Sequence, residues 1–405
     1  MKILQINKFY YRRRGAETYM LDLIELLEQK GYEVGVFSMD HPDNIQTPYS
    51  KYFLPYVEFG NLKALSMQDK YRAISRVIWS KEAQVNLDKL LAEFKPDIAH
   101  IHNIYHQISP SILKTLKKHN IPVIQTLHDY KLLAPNYNLL ANGEIDESSK
   151  GHRYYNVVLK KGVKDSYSAS FLAMVEMYTH KFFQVYEKNV DCFISPSQFL
   201  KDKVSEWGIK VKRMEVLPNF VNVSKIIPQY NNDGYFLYMG GLYKEKGVDL
   251  IIDIIDKIGY SIPLRIAGSG PEEATLKQLA KNKSVEFVGF LNKQELTQQI
   301  SGAVAIIVPS RWYENYPFSV IEAFAHGKPV IAANIGGLPE QVIPGKTGAL
   351  FEPNNSEDLQ RVLTELLQKS ETLPELGKTA REWVEQELSP EKHYARLYEI
   401  YSEYT

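Results

Sequence analysis

Short apolar runs alternate with amphipathic helical stretches along this chain in two separate series, and that alternation narrows the available folds more than any other feature. Lys2 to Ile6 reads as a first strand and Ala16 to Lys30 as the helix after it. Glu33 to Ser38, Ile98 to His102 and Val123 to Leu127 read as further strands. Strands separated by helices imply parallel sheets with crossover connections. A second series follows Val216-Leu217-Pro218-Asn219-Phe220-Val221-Asn222 and a polar stretch holding Pro228, Asn231, Asn232, Asp233 and Gly234, where the hinge is placed. There Tyr235 to Met239, Leu264 to Ala267, Val285 to Val288, Ala305 to Val308 and Val330 to Ala332 read as strands, each followed by Gly or Pro. The expected class is α/β, with two doubly wound, Rossmann-like domains. A length of 405 residues agrees, being long for one domain.

Composition excludes several classes. With 44% hydrophobic and 24% charged residues, the chain is neither disordered nor membrane-embedded. The formal charge is zero, but residues 1–220 carry about +6 and the remainder about −6. A basic first half suits an anionic acceptor or an anionic membrane surface, and a chance imbalance on solvated helices explains it equally well. Nothing points to nucleic acid. The single cysteine, Cys192, lies in the apolar run Val190 to Ile194 and is expected to be a buried, inert thiol in a reducing, cytoplasmic setting. Met1 to Asn7 lacks a signal-peptide core and no window reaches the 18 or so apolar residues of a membrane span. Any membrane contact is expected to be peripheral.

The chemistry concentrates in Ser310-Arg311-Trp312-Tyr313-Glu314-Asn315-Tyr316-Pro317-Phe318-Ser319-Val320-Ile321-Glu322-Ala323. An apolar strand precedes this segment and a helix follows, so Glu314 and Glu322 flank a strand-to-helix turn, where open α/β sheets bind ligands. Pro317 fits the first helical turn, whose unpaired N–H groups suit an anion or a sugar hydroxyl. Carboxylates also gather at helix N-termini through the dipole alone. The surroundings weigh against that bland reading: His326-Gly327-Lys328-Pro329 to Gly336-Gly337-Leu338-Pro339-Glu340, then Gly345-Lys346-Thr347-Gly348. Together these residues resemble the donor-binding half of retaining glycosyltransferases of family four, the glycosyl transferases group 1 type of bacterial glycan assembly.

The resemblance implies a GT-B fold, two Rossmann-like domains facing a central cleft, with a C-terminal helix crossing back to the first. Residues 1–220 would bind the acceptor, 221–385 a nucleotide-sugar donor of UDP or GDP type, and 386–405 would form the crossing helix. The last stretch carries Tyr394, Tyr398, Tyr401 and Tyr404, read as ordinary core packing. In Met239-Gly240-Gly241-Leu242-Tyr243-Lys244-Glu245-Lys246-Gly247, the glycines allow close backbone approach and Lys246 matches the family lysine at the diphosphate. The family usually has Arg where this chain has Gly241. Lys244, Arg311, or one of Arg12, Arg13 and Arg14 are candidates for the missing charge. Phe290 and Leu291 resemble the segment that holds the base through its backbone. Asn315, Tyr316, Pro317 and Phe318 fall in the donor turn, and Glu322 would accept hydrogen bonds from ribose.

In the first series, Gly15 within Arg12-Arg13-Arg14-Gly15-Ala16-Glu17 matches a family glycine loop, with Arg14 in place of the first of its two usual glycines. The three arginines suit an acceptor phosphate or a solvated basic loop. His128, in Gln125-Thr126-Leu127-His128-Asp129-Tyr130, matches the family histidine that contacts the donor sugar. His100, His102 and His106 have no spacing that demands a metal cage. No Asp-x-Asp occurs, so no metal or other cofactor is expected.

The implied reaction is sugar transfer with retention of configuration to a hydroxyl of a glycan, lipid-linked or other small acceptor, with Lys246, Glu314 and His128 as the catalytic residues. A nucleotide-sugar epimerase of similar architecture, or a silent sugar-nucleotide-binding subunit, are the competing readings. Tyr52 to Trp79 and Asn136 to Lys164 carry no readable motif.

Overall fold

The structure, a computed structural model, describes residues 1–57, 67–281 and 283–405, with side chains described outside 67–72. Part of the motif-free stretch Tyr52 to Trp79 therefore lies outside the described residues. Two compact units divide the chain: Met1–Asn142, Asp146–Leu217 and Tyr394–Thr405 in the first, Gly143–Ile145 and Pro218–His393 in the second.

The first unit is built on β1 (Lys2–Ile6), β2 (Glu33–Phe37), β3 (Ile98–Ile101) and β4 (Val123–Thr126), followed in the chain by the short β5 (Leu140–Ala141) and by β6 (Glu144–Ile145), which is assigned to the second unit, and then by β7 (Cys192–Ser195) and β8 (Met214–Val216) of the first. Its sheet runs β2-β1-β3-β4-β7-β8 with every pair parallel. Strand order reverses between β1 and β3, so the loops leaving their C-terminal ends diverge and open a crevice. β7 was not anticipated as a strand, although its Cys192 is buried as expected, and burial raises the thiol pKa to about 11. A run of only four residues has no period that separates strand from buried helix.

The second unit contains β9 (Tyr235–Met239), β10 (Leu264–Ala267), β11 (Val285–Gly289), β12 (Ala303–Val308), β13 (Val330–Ala333) and β14 (Gly348–Phe351), ordered β11-β10-β9-β12-β13-β14, all parallel. Tyr235, Leu237 and Met239 enter one core with Val320 and Phe324, while Phe236 and Tyr238 enter the other with Ile251 and Leu363. Side chains alternate across a pleated strand, and helices cover both sides, so β9 and β12 are apolar throughout. The reversal of order falls between β9 and β12.

The last helix, Pro390–Ser402, ends in the first unit. Its buried stripe is His393, Leu397, Ile400 and Tyr401. Four core tyrosines were expected; only Tyr401 is fully buried, and Tyr398 is 49% exposed. Their spacing of four, three and three matches one face, but the helix turns that face partly to solvent and uses Leu397 and Ile400 instead.

Candidate functional site

In the second unit, the loops after β9 and β12 bring Lys246 and Glu314 together. Lys246 Nζ donates to Glu314 Oε1 at 2.7 Å, and Ser310 Oγ donates to the same oxygen at 2.6 Å. Glu314 is buried. Burial alone would raise its pKa, but the Lys246 charge and the two hydrogen bonds outweigh it, and the carboxyl is held below its usual range. Lys246 also lies 4.8 Å over the Trp312 ring. An ammonium has three donors, so the bond to Glu314 leaves two for another ligand.

Two glycines lock this arrangement. Gly247 has φ +68°, and a Cβ there would stand 2.1 Å from the Pro309 carbonyl oxygen, so the Lys246 turn lies flush against the end of β12. Gly336 has φ +63°, and its Cβ would meet the backbone oxygen of Glu314 at 2.4 Å. The neighbouring Gly337 N–H donates to that same carbonyl at 2.7 Å. The backbone of Glu314 is thus gripped by the loop after β13, while its side chain faces Lys246.

The rest of the turn is ordered around this pair. Asn315 and Pro317 are half-buried, Tyr316 is buried, and its carbonyl accepts from Asn219 Nδ2 at 2.9 Å. Pro317 caps the helix Phe318–Ala325, one residue before the first helical position. Glu322 lies four residues into that helix, half-buried. Gly240 and Gly241 follow β9, and the Tyr238 hydroxyl donates to the Gly241 carbonyl at 2.8 Å. A Cβ on Gly241 would meet the Tyr243 ring at 2.7 Å, so an aromatic side chain occupies the space where the family arginine would begin. Phe290 is 83% exposed after β11 and Leu291 packs partly against the core. Arg311 forms a two-pronged pair with Asp249, both contacts 2.7 Å, which balances its charge within the unit.

In the first unit, β1 and the loops leaving the C-terminal ends of β3 and β4 carry a file of polar side chains. Gln5 Oε1 accepts from His102 Nε2 at 2.8 Å, which leaves His102 Nδ1 to accept from His128 Nε2 at 3.0 Å. The pKa of His128 is driven down to about 3 by burial and by the charge of Lys8, so the ring is neutral at neutral pH. His100 bonds Tyr401 and Thr126, and His106 bonds Glu176. The three histidines considered for a metal thus have different partners.

A small, partly open pocket is lined by Asn103, Tyr105, His128, Asp129, Lys131 and Tyr186. Burial raises the Asp129 carboxyl to about 6, against the hydrogen bond from the Lys131 N–H and the charge of Lys8. Lys131 itself reaches the buried Glu176 at 2.7 Å. The sequence reading assigned no role to Gln5, His102, Asp129, Lys131 or Ser310. Asp129 and Lys131 stand one and three positions past His128 and were within reach of that motif; Gln5 and His102 gain meaning only from sheet order. Gly15 opens the exposed start of helix Gly15–Gln29, with Arg14 as its cap residue. Arg12 pairs with Asp22 at 2.5 Å, and the Arg13 guanidinium stacks 4.3 Å from the Phe9 ring.

Comparison with known proteins gives consistent matches. A family model described as Glycosyltransferase Family 4 matches residues 13–225, and one described as Glycosyl transferases group 1 matches 222–383. An uncharacterised 42.6 kDa protein in the cps region of Klebsiella pneumoniae is 27% identical, over 84% of this chain and 87% of its own. Among solved structures, sucrose-phosphate synthase from Thermosynechococcus elongatus superposes with a TM-score of 0.74 at 20% identity, covering 99% of this chain and 98% of that one. Anabaena HepE in complex with UDP and glucose gives a TM-score of 0.69 at 15% identity, covering all of both chains. The fold is that of these two-domain, parallel-sheet proteins.

Proposed function

The chain belongs to glycosyltransferase family 4, and we propose that it moves a sugar from a nucleoside diphosphate donor to a hydroxyl of a glycan or lipid-linked acceptor, with retention of configuration and without a divalent ion. The observation that carries this reading is the Lys246–Glu314 contact at the point where strand order reverses in the second sheet. The two remaining donors of Lys246 suit the diphosphate, and the HepE complex with UDP and glucose favours a UDP-type donor.

In the proposed step the acceptor oxygen bonds to the anomeric carbon as the bond from that carbon to the phosphate oxygen breaks. The departing phosphate takes the acceptor proton on the same face. Lys246 stabilises the charge left on the diphosphate, and Glu314 holds Lys246 in place and faces the positive charge developing on the sugar. Glu322 is assigned to the ribose diol, His128 to the sugar as a neutral hydrogen-bonding group, and Phe290 and Leu291 to the base. The first unit takes the acceptor, which, when lipid-linked, brings the enzyme to an anionic membrane surface.

Transfer is therefore expected to survive EDTA, and Lys246→Ala is expected to raise the barrier by about 2 kcal/mol or more. NMR of the first-formed product, read through the anomeric coupling, tests retention. A β product from an α donor, or EDTA inactivation reversed by manganese, rejects the mechanism.

A further inference from the structure

Helix Tyr167–Phe182 carries apolar residues on two opposite sides. One side points into the first unit through Ser170, Ala173, Met177 and the polar Glu176 and His180, all buried. At 100° per residue, Tyr167, Phe171, Tyr178 and Phe182 fall within about 60° of one another on the other side. All four are exposed, Phe182 at 81%. Phe183 follows at the helix end with its ring edge-on to Phe182, centroids 5.2 Å apart. The short helix Asn156–Leu159 packs against the same helix and adds Leu159, 70% exposed. An ordinary solvated helix face is polar, and a contiguous apolar strip marks a surface that meets something else.

Charge indicates what that is. Residues 150–188 contain seven Lys or Arg and three Asp or Glu. Glu176 is buried, Glu187 pairs with Lys181 at 2.7 Å, and Glu206 and Asp146 pair with Lys150 and Lys160, so the balance of Arg153, Lys161, Lys164 and Lys188 against Asp165 is positive. Lys161 lies 4.7 Å over the Tyr167 ring. Aromatic rings with adjacent lysines match the boundary where acyl chains meet headgroups: the rings enter the apolar edge and the ammonium groups reach outward to phosphate.

We propose that this face docks on an anionic lipid bilayer, with Phe171, Phe182, Phe183 and Leu159 at the level of the headgroups and, on lipid phosphates, Lys161 and the exposed Lys188 of helix Val185–Asn189, which packs against the ring-bearing helix. The proposal specifies the surface behind the membrane contact suggested above, and it depends on no step of sugar transfer.

The full chain, without donor or acceptor, is co-sedimented with vesicles of phosphatidylcholine alone and of phosphatidylcholine mixed with phosphatidylglycerol. Binding is expected only to the mixed vesicles and should weaken as salt rises. Phe171→Ser with Phe182→Ser should lower partitioning about tenfold, and Lys161→Glu with Lys188→Glu about fivefold or more. Melting temperatures and transfer to a water-soluble acceptor should stay unchanged in both variants. Absence of binding to the mixed vesicles, or full binding by the phenylalanine variant, overturns the proposal. So does light scattering that shows a dimer in solution abolished by the same substitutions, which would assign the face to a second copy of this chain. Loss of the transferase reading would leave the vesicle result standing.

Discussion

Asp129 and His128 are adjacent in sequence and shifted in opposite directions by the same burial, because low polarity disfavours whichever form is charged. For Asp129 the folded pKa of about 6 lies above the unfolded value of 3.8, so the folded state binds more protons between the two. Its contribution is fully present below about 3.8 and is lost as pH rises through 6. Asp129→Asn removes that penalty, so the variant should match the parent near pH 4 and exceed it by roughly 1–3 kcal/mol at pH 7. Urea denaturation at a series of pH values measures the difference, and a difference independent of pH would reject it. At the ribose position, Glu322→Ala should weaken nucleoside diphosphate binding by about 1.5–3 kcal/mol. Calorimetry that finds the affinity of the folded variant unchanged would remove Glu322 from that role.

Among the elements, the loop after β13 decides where Glu314 stands. Gly336 and Gly345 share a left-handed backbone, with φ +63° and +73°, but a Cβ at Gly336 meets the Glu314 backbone whereas one at Gly345 meets nothing within 4 Å. Gly345→Ala should therefore cost only backbone strain, about 1 kcal/mol, and leave transfer intact. Gly336→Ala carries the same strain plus a displaced Glu314, so stability should fall further and transfer should collapse. Parallel denaturation and rate measurements on the two variants test this; equal behaviour would mean that the Glu314 backbone yields freely. The same logic bears on Gly241, where Tyr243 fills the space a longer side chain would need.

Across the whole molecule, the C-terminal tail belongs to the first unit although it follows the second in sequence. Tyr401 is buried and bonds His100 at 2.6 Å, and His100 in turn bonds Thr126 on β4. Tyr401→Ala should remove about 3–5 kcal/mol from the first unit. Hydrogen exchange should report lost protection in β1, β3 and β4 and little change in β9 to β14; uniform loss would show that the two units unfold as one.

Local sequence carried the strands and the site in the second unit because parallel strands buried on both faces are apolar throughout and Gly or Pro marks their ends. Tyr235 to Met239 and Leu264 to Ala267 match β9 and β10 residue for residue. The donor-turn residues lie within nine positions of one another and could be read as a motif. What sequence could not supply was pairing at a distance. Lys246 and Glu314 are 68 positions apart, and Gln5, His102 and His128 span more than a hundred. Those partners are set by strand order, which depends on which crossover packs on which sheet face. The exposed rings of helix Tyr167–Phe182 escaped for a related reason: a helix apolar on both sides gives no period that separates its core face from its outer one. Sequence fixes the kind of residue at each position, and only the packed sheets decide which of them meet.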